Sequence, residues 1–223
     1  MSKTYGKTRW KRFALVMVPS IAATAAVGFS IANSALAASF SISGQQFKVR
    51  TDHLEGTNFA QFGTVDIEAN GAKHPVAVSA FDKADITNLC QSVVTDLSGF
   101  GLGKITLQLN AGGPGSKPVH ADKLLIDLED LKADATFTRI NIGQDASTLK
   151  GEATQGWTPH PLVAAATKNN GLPTGGMGFA QSADKAVLDG VQQTARATSA
   201  GNFELSGLHL SLKQGDGPGN ECF

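Results

Sequence analysis

Apolar and polar residues alternate along much of the chain beyond residue 38. Four segments show this period of two most clearly: Phe40–Val49, His74–Phe81, Lys104–Ala111 and Thr136–Gly143. Such alternation sends successive side chains to opposite faces, as in a half-buried β-strand. Glycine-rich stretches separate the segments, and glycine adopts positive φ in turns without steric cost. The pattern predicts an all-β fold that is mainly antiparallel.

Two segments also fit a helix. Asp85–Leu97 has a helical apolar stripe, but its many β-branched residues favour a strand. In His160–Gly171, Pro161 suits the first turn of a helix, alanines follow, and Gly171 suits its end. The sequence therefore predicts one short helix on an otherwise β domain.

A weak repeat supports this fold. Ala121–Leu131 and Ala183–Gln193 share the opening Ala-Asp-Lys and a later apolar-apolar-Asp pattern, and looser copies begin at Thr51, Ala84 and Ala133. The irregular spacing argues against a solenoid with one fixed period. Strands of similar design lying side by side predict an elongated sandwich, an open groove or a partial barrel. If large residues point inward and the sheets splay, the interior becomes a lipid-sized slot, whereas tight closure makes it purely structural.

The N-terminal segment has the features of an export signal. Basic residues in Lys7–Arg12 precede an apolar run, Phe13–Ala32, which is followed by the small residues Ala35 and Ala37 of a signal-peptidase site. This pattern predicts a signal peptide over residues 1–37, a mature chain that starts at Ala38, and a single β-rich domain over residues 38–223.

The alternative is a retained membrane helix, because about 20 apolar residues span a bilayer. The run is rich in alanine, glycine and serine, and no basic cluster follows it, which favours cleavage. Since no twin-arginine doublet is present, we expect the general secretory route, with the protein secreted or held in the cell envelope. Any membrane contact is expected only through this segment, if it is uncleaved.

Removal of the signal changes the charge. Five of the nineteen basic residues and none of the nineteen acidic residues lie in the first 37 positions, so the mature chain carries a net charge of about −5. No basic patch remains to attract phosphates, so no nucleic-acid partner is expected.

The mature chain keeps two cysteines, Cys90 and Cys222. In an oxidising compartment the simplest arrangement pairs them, closing a loop of more than 130 residues. A catalytic thiol or a metal ligand is the alternative, but the chain has no CxxC motif. We therefore predict a structural Cys90–Cys222 disulfide.

No catalytic motif is visible. The chain lacks GxSxG and HExxH, and Ser92, Ser98 and Ser116 fit solvated positions in strands or loops. The histidines are scattered singly along the chain, at positions His53, His74, His120, His160 and His209. The sequence therefore predicts no catalytic residue.

Acidic residues suggest calcium only weakly. Asp127, Glu129 and Asp130 cluster and Asp216 lies in a glycine-rich loop, but the EF-hand pattern is absent. Asp127 and Glu129 also fit the solvated face of a strand. We therefore predict no metal site and no cofactor.

Several segments resemble a known family, among them LCQSVV, GFAQSAD and the terminal NECF. Together with the N-terminal segment, they make the chain similar throughout to a family of uncharacterised secreted actinobacterial proteins of unknown function, whose members are often labelled "cholesterol esterase". The resemblance implies secretion and supplies no established catalytic residues.

Two functions remain open. The apolar strand faces predict a non-enzymatic secreted or envelope protein that binds an apolar ligand, a lipid, or an envelope protein partner. The family label implies the alternative, a secreted esterase acting on lipid or cholesteryl esters.

Overall fold

A computed structural model describes residues 43–155 and 178–223, which belong to one compact unit, Ser39–Phe223. The strands are β1 Phe47–Ile67, β2 Lys73–Thr87, β3 Leu89–Asp96, β4 Lys104–Ala111, β5 Val119–Thr138, β6 Asn141–Asp145, β7 Phe179–Ser199, β8 Asn202–Glu204 and β9 His209–Gln214. Two 3-10 turns, Ser98–Phe100 and Ala146–Thr148, and one short helix, α1 Glu152–Gln155, complete the described elements.

The nine strands form one sheet, and every pairing between named strands is antiparallel. The predicted all-β, mainly antiparallel fold is therefore confirmed. Four strands close into a ring, because β1 pairs with β2, β2 with β5, β5 with β7, and β7 with β1. Among the three predicted forms, the partial barrel describes this arrangement.

The strands are strongly tilted within the ring. Starting from Gly63, the backbone partners are Ala77, Leu128, Ala195 and then Phe47, which lies sixteen residues before Gly63 on the same strand. A large stagger in a ring of few strands requires a steep tilt. As a consequence, the two ends of β1 approach the same region of the molecule.

Two long strands are interrupted where a non-glycine residue has positive φ. The predicted strand Asp85–Leu97 is β2 followed by β3, which keep the same register along β1 on either side of Asn88 (φ 52°). The predicted strand Thr136–Gly143 is likewise broken at Arg139 (φ 53°) between β5 and β6. Asparagine tolerates this left-handed conformation better than most residues. The periodicity therefore predicted the strands but not their breaks.

The start of the first strand also differs from the prediction. Within the described part of Phe40–Val49, β1 begins only at Phe47, because Gly44 has a φ of 78° and is not extended. The predicted helix at His160–Gly171 lies outside the described residues. In the part of the chain that the structure describes, no helix is long and apolar enough to cross a bilayer.

The interior of the ring is a core of alternate apolar side chains. It includes Phe59 and Phe81, whose ring centroids lie 5.3 Å apart, and small residues at the repeat positions. Ala84 and Ala121, which open two copies of the repeat, are backbone partners on β2 and β5 and are both buried. The repeat therefore marks places where strands need a small inward residue.

A second, smaller core covers the outside of the ring. Ala146, Leu149 and Ala153, from the second 3-10 turn and the start of α1, pack on outward residues that include Phe62 and Val78. Asp82 holds this layer in place, because its carboxylate accepts a hydrogen bond from the backbone N–H of Ala153 at 2.8 Å and another from Asn58 at 2.7 Å. The layer shields one outer face from water.

The C-terminal tail covers the outer face of β3. The predicted disulfide joins Cys90 on β3 to Cys222, and the backbone N–H of Cys222 donates to Ser92 Oγ at 3.1 Å. Lys48 on β1 pairs with Glu221 at 2.8 Å and lies over the ring of Phe223. Ser92 is 2% exposed, so its prediction as a solvated position is wrong.

Candidate functional site

The ring encloses an apolar cavity of about 230 Å³, here called the inner pocket. Its lining comes from all four ring strands and is mostly apolar, with Phe59, Phe81, Leu128, Phe137 and Leu188 among its members. The pocket reaches the surface beside Leu131 and Ala135, since β5 pairs with β2 only as far as Leu128. The interior is thus not fully packed.

Three of the polar residues of the inner pocket, Gln61, Ser79 and Gln181, lie together on one wall, and Gln193 lies on another. Gln61 donates to Ser79 Oγ at 2.8 Å, and Gln181 donates to Gln61 Oε1 at 2.5 Å. These hydrogen bonds satisfy much of the polarity of that wall, and none of the described residues that line the pocket is charged. The chamber is therefore suited to an uncharged apolar group.

A narrow space of about 20 Å³, here called the waist, adjoins the inner pocket. Both are lined by Leu54, Ile126 and Gln193. The backbone pairing explains the polar side chains at the waist, because Val49 on β1 is paired with Gln91 on β3 and with Gln193 on β7.

Beyond the waist lies an open depression of about 530 Å³, here called the outer groove. Gln91, Thr198 and Phe203 line both the waist and the groove. The groove exists because β1 leaves its ring partner β2 and pairs with β3, so the sheet splays open there. The inner pocket, the waist and the outer groove adjoin one another in this order through shared lining residues, and together they are here called the channel.

An apolar stripe extends the outer groove to the edge of the sheet. It is a single row of paired residues across four strands: Phe47, Val93, Leu107 and Leu212. Phe47 and Val93 line the groove, whereas Leu107 is 39% and Leu212 is 73% exposed. An exposed apolar row on a sheet is a recognised site for lipid or protein contact.

A cluster of carboxylates surrounds Arg196 at the side of the outer groove. The Arg196 side chain is only 9% exposed and pairs with Glu129. It also lies 3.8 Å from Glu68 Oε1, and its Nη1 donates to the Gly44 carbonyl at 3.3 Å. His74 Nε2 lies 2.6 Å from Glu68 Oε1, and this hydrogen bond is the main reason that the pKa of Glu68 is lowered.

Asp66 and Asp127 form a carboxyl pair in the same cluster. Burial, and after it the charge and hydrogen bond of the neighbouring Asp66, raise the pKa of Asp127 to about 8. Burial also raises the pKa of Asp66, which is hydrogen-bonded to Asp127, while Asp66 Oδ2 has no hydrogen-bond partner among the described residues. One shared proton satisfies both groups near neutral pH. The expectation that Asp127 is solvated is wrong.

The other sequence candidates lie apart from the channel. His53 and His120 pair with Asp189 and Asp85 at 2.6 and 2.8 Å, and Asp216 pairs with Lys104 at 2.7 Å. His160 lies outside the described residues. Within residues 43–155 and 178–223, no group of three or more His, Cys, Asp or Glu side chains is arranged to hold a metal ion.

Sequence reasoning anticipated a slot but not its residues. The inward faces of the strands were identifiable from alternation, whereas the channel depends on which strands close the ring and where β1 changes partner. Gln91 and Gln193 carried no sequence signal, because an isolated polar residue at an inward position of a strand looks like a mistaken register, and Thr51 was marked only as the start of a looser copy of the repeat.

The comparisons with known proteins identify a family without a known activity. The model described as "Family of unknown function (DUF6230)" matches residues 43–223. No curated protein and no solved structure matches the chain.

Proposed function

Because the chain belongs to DUF6230, a family of unknown function, its role has to be inferred from its own geometry, and we propose that it is a non-enzymatic secreted or envelope protein that binds a lipid in the channel. The observation that carries this proposal is the inner pocket, an incompletely filled apolar chamber at the centre of an otherwise packed ring. A purely structural ring has no need of this space, since protein interiors are close-packed.

The size of the inner pocket limits its ligand. Small-molecule sites commonly measure about 300–1,000 Å³, so a chamber of about 230 Å³ suits one short acyl chain or one end of a longer molecule. Each methylene that leaves water contributes about 0.8 kcal/mol, so a short chain is enough for measurable binding.

The apolar stripe supports the same function. Lipid monomers are scarce in water, and a carrier has to meet a membrane or another protein to exchange its ligand. Leu107 and Leu212 continue the row that begins in the outer groove, so they offer an apolar surface next to the channel opening. An envelope lipid or protein in contact with this stripe is the partner that we propose.

Export fits this role. The N-terminal signal predicts secretion by the general route, and a disulfide between Cys90 and Cys222 is stable in an oxidising compartment but not under cytosolic conditions. The esterase alternative stays a prediction, and no contact of the described residues favours it.

The proposal is tested by native mass spectrometry of protein purified from the culture medium, followed by solvent extraction of any bound molecule. We expect a bound lipid that is lost in Ala133→Phe, because Ala133 lines the inner pocket and a phenyl ring fills that space.

Ala69→Phe is the matched control, since Ala69 is exposed in the turn between β1 and β2. It makes the same substitution outside the channel and is expected to keep the ligand. Wild-type protein that is free of ligand, and that also fails to take up added short-chain lipids, would contradict the proposal.

A further inference from the structure

The waist contains a buried hydroxyl group that lacks a partner. Thr51 is 2% exposed, it lines the waist, and its Oγ1 makes no hydrogen bond within the part of the chain that the structure describes. Buried polar groups are nearly always paired, so an unpaired one next to an open space indicates a missing partner. Gln193 lies on β7, which pairs with β1; it is 6% exposed and lines the same space.

We propose that the waist binds the uncharged, oxygen-bearing head group of a single-chain amphiphile whose tail occupies the inner pocket. This inference rests on the proposed function, because it assigns an orientation and a head-group chemistry to the ligand of the same channel. Thr51 Oγ1 and the Gln193 amide both donate and accept hydrogen bonds, so an alcohol or amide head group matches them.

The surroundings exclude a charged head group. Among residues 43–155 and 178–223, no charged side chain lines the waist or the inner pocket. A carboxylate or ammonium placed there loses its hydration without gaining a counter-charge, and the cost of burying such a charge is large. Arg196, at the outer groove, already faces two carboxylates, Glu129 and, at 3.8 Å, Glu68, so its charge is neutralised before any ligand binds.

The volumes of the waist and the inner pocket indicate which of them holds the head group and which holds the tail. The waist, at about 20 Å³, accommodates a group of about the size of a water molecule, whereas the apolar inner pocket is roughly ten times larger. A hydroxyl group therefore fits the waist, and the hydrocarbon that follows it fits the inner pocket.

The test compares three probes of equal chain length, 1-octanol, n-octane and octanoate at pH 8, by calorimetric or NMR titration of the purified full chain. We expect 1-octanol to bind more tightly than the other two. Thr51→Val keeps the shape of the side chain and removes the hydroxyl. It should lower the affinity for 1-octanol about fivefold to tenfold, which is the effect of one neutral hydrogen bond. The same substitution should leave the affinity for n-octane unchanged or raise it slightly.

Thr64→Val is the matched control. Thr64 lies on the same strand and its Oγ1 is also buried without a partner, but it does not line the channel. It should alter no probe's affinity. If Thr51→Val and Thr64→Val bind 1-octanol as tightly as the wild type, or if octanoate binds best, the inference is wrong although the channel still binds chains. Failure of all three probes to bind contradicts the proposed function itself.

Discussion

Asp66 at the end of β1 and Asp127 in β5 form a half-buried, hydrogen-bonded carboxyl pair in which burial raises the pKa of both groups. The steep tilt of the strands produces this contact, because it brings the end of β1 close to β5 and β7. The pair, together with Arg196, joins the two ends of β1 to the rest of the ring.

This pair predicts that stability falls as the pH rises. The folded-state pKa of Asp127, about 8, exceeds the unfolded value of about 4, so the folded state holds its proton more tightly. The resulting stabilisation is complete below about pH 4 and is lost as the pH rises through about 8. Urea unfolding at several pH values measures it.

Asp127→Asn isolates this contribution. The amide cannot ionise, so we expect the stability of the variant to depend less on pH between 4 and 8 than that of the wild type. His120 also has a raised pKa, because Asp85 accepts its hydrogen bond, and it contributes in the same direction in both proteins. Identical pH profiles for variant and wild type would exclude a shared proton.

Close packing of Gly56 against Phe81 predicts a steric effect. A Cβ at Gly56 would lie 2.3 Å from Phe81 Cδ1, and Phe81 is only 1% exposed. Gly56→Ala should therefore destabilise the fold by about 1–3 kcal/mol through overpacking. Gly63→Ala on the same strand is the control, since nothing lies within 4 Å of its Cβ position. Thermal melts that shift equally for both variants would disprove the predicted clash.

The disulfide predicts that the stability of the fold depends strongly on the oxidation of the two cysteines. Cys90 and Cys222 are separated by 132 positions, and a cross-link over such a loop contributes about 5 kcal/mol on the chain-entropy model. The double variant Cys90→Ala, Cys222→Ala should unfold at a clearly lower urea concentration than the oxidised wild type. An unchanged midpoint would mean that the tail contacts of Lys48 and Ser92 alone hold the C-terminus.

The export signal predicts a defined mature protein. Intact-mass measurement of secreted material should give a chain that starts at Ala38 and lacks the two cysteine hydrogens. A full-length chain found in the membrane fraction would instead support the retained helix.

The sequence predicted some elements well and others not at all. Alternation located β4 at its observed bounds, Lys104–Ala111, because each of its residues faces either the core or the outside. It could not show that Phe47 contacts β3 on one edge and β7 on the other, since pairing depends on distant residues. The buried state of Asp127 was hidden for the same reason, because its partner Asp66 is 61 positions away.

The sequence allowed a site of this kind but did not identify the residues that line it. The sequence left open whether the interior is a lipid-sized slot or closes tightly, and the structure has an apolar cavity of about 230 Å³ there. Which residues line it follows from the sixteen-residue stagger of the ring, which no local pattern encodes.

The position of a bound chain tests the central claim most directly. In NMR spectra of the purified protein with 1-octanol, we expect intermolecular NOEs from the alkyl protons to the methyl groups of Leu54, Leu128 and Leu188, which line the inner pocket. NOEs confined to Leu210 and Leu212 on the exposed face of β9, or the absence of any NOE at saturating 1-octanol, would contradict a lipid-binding channel.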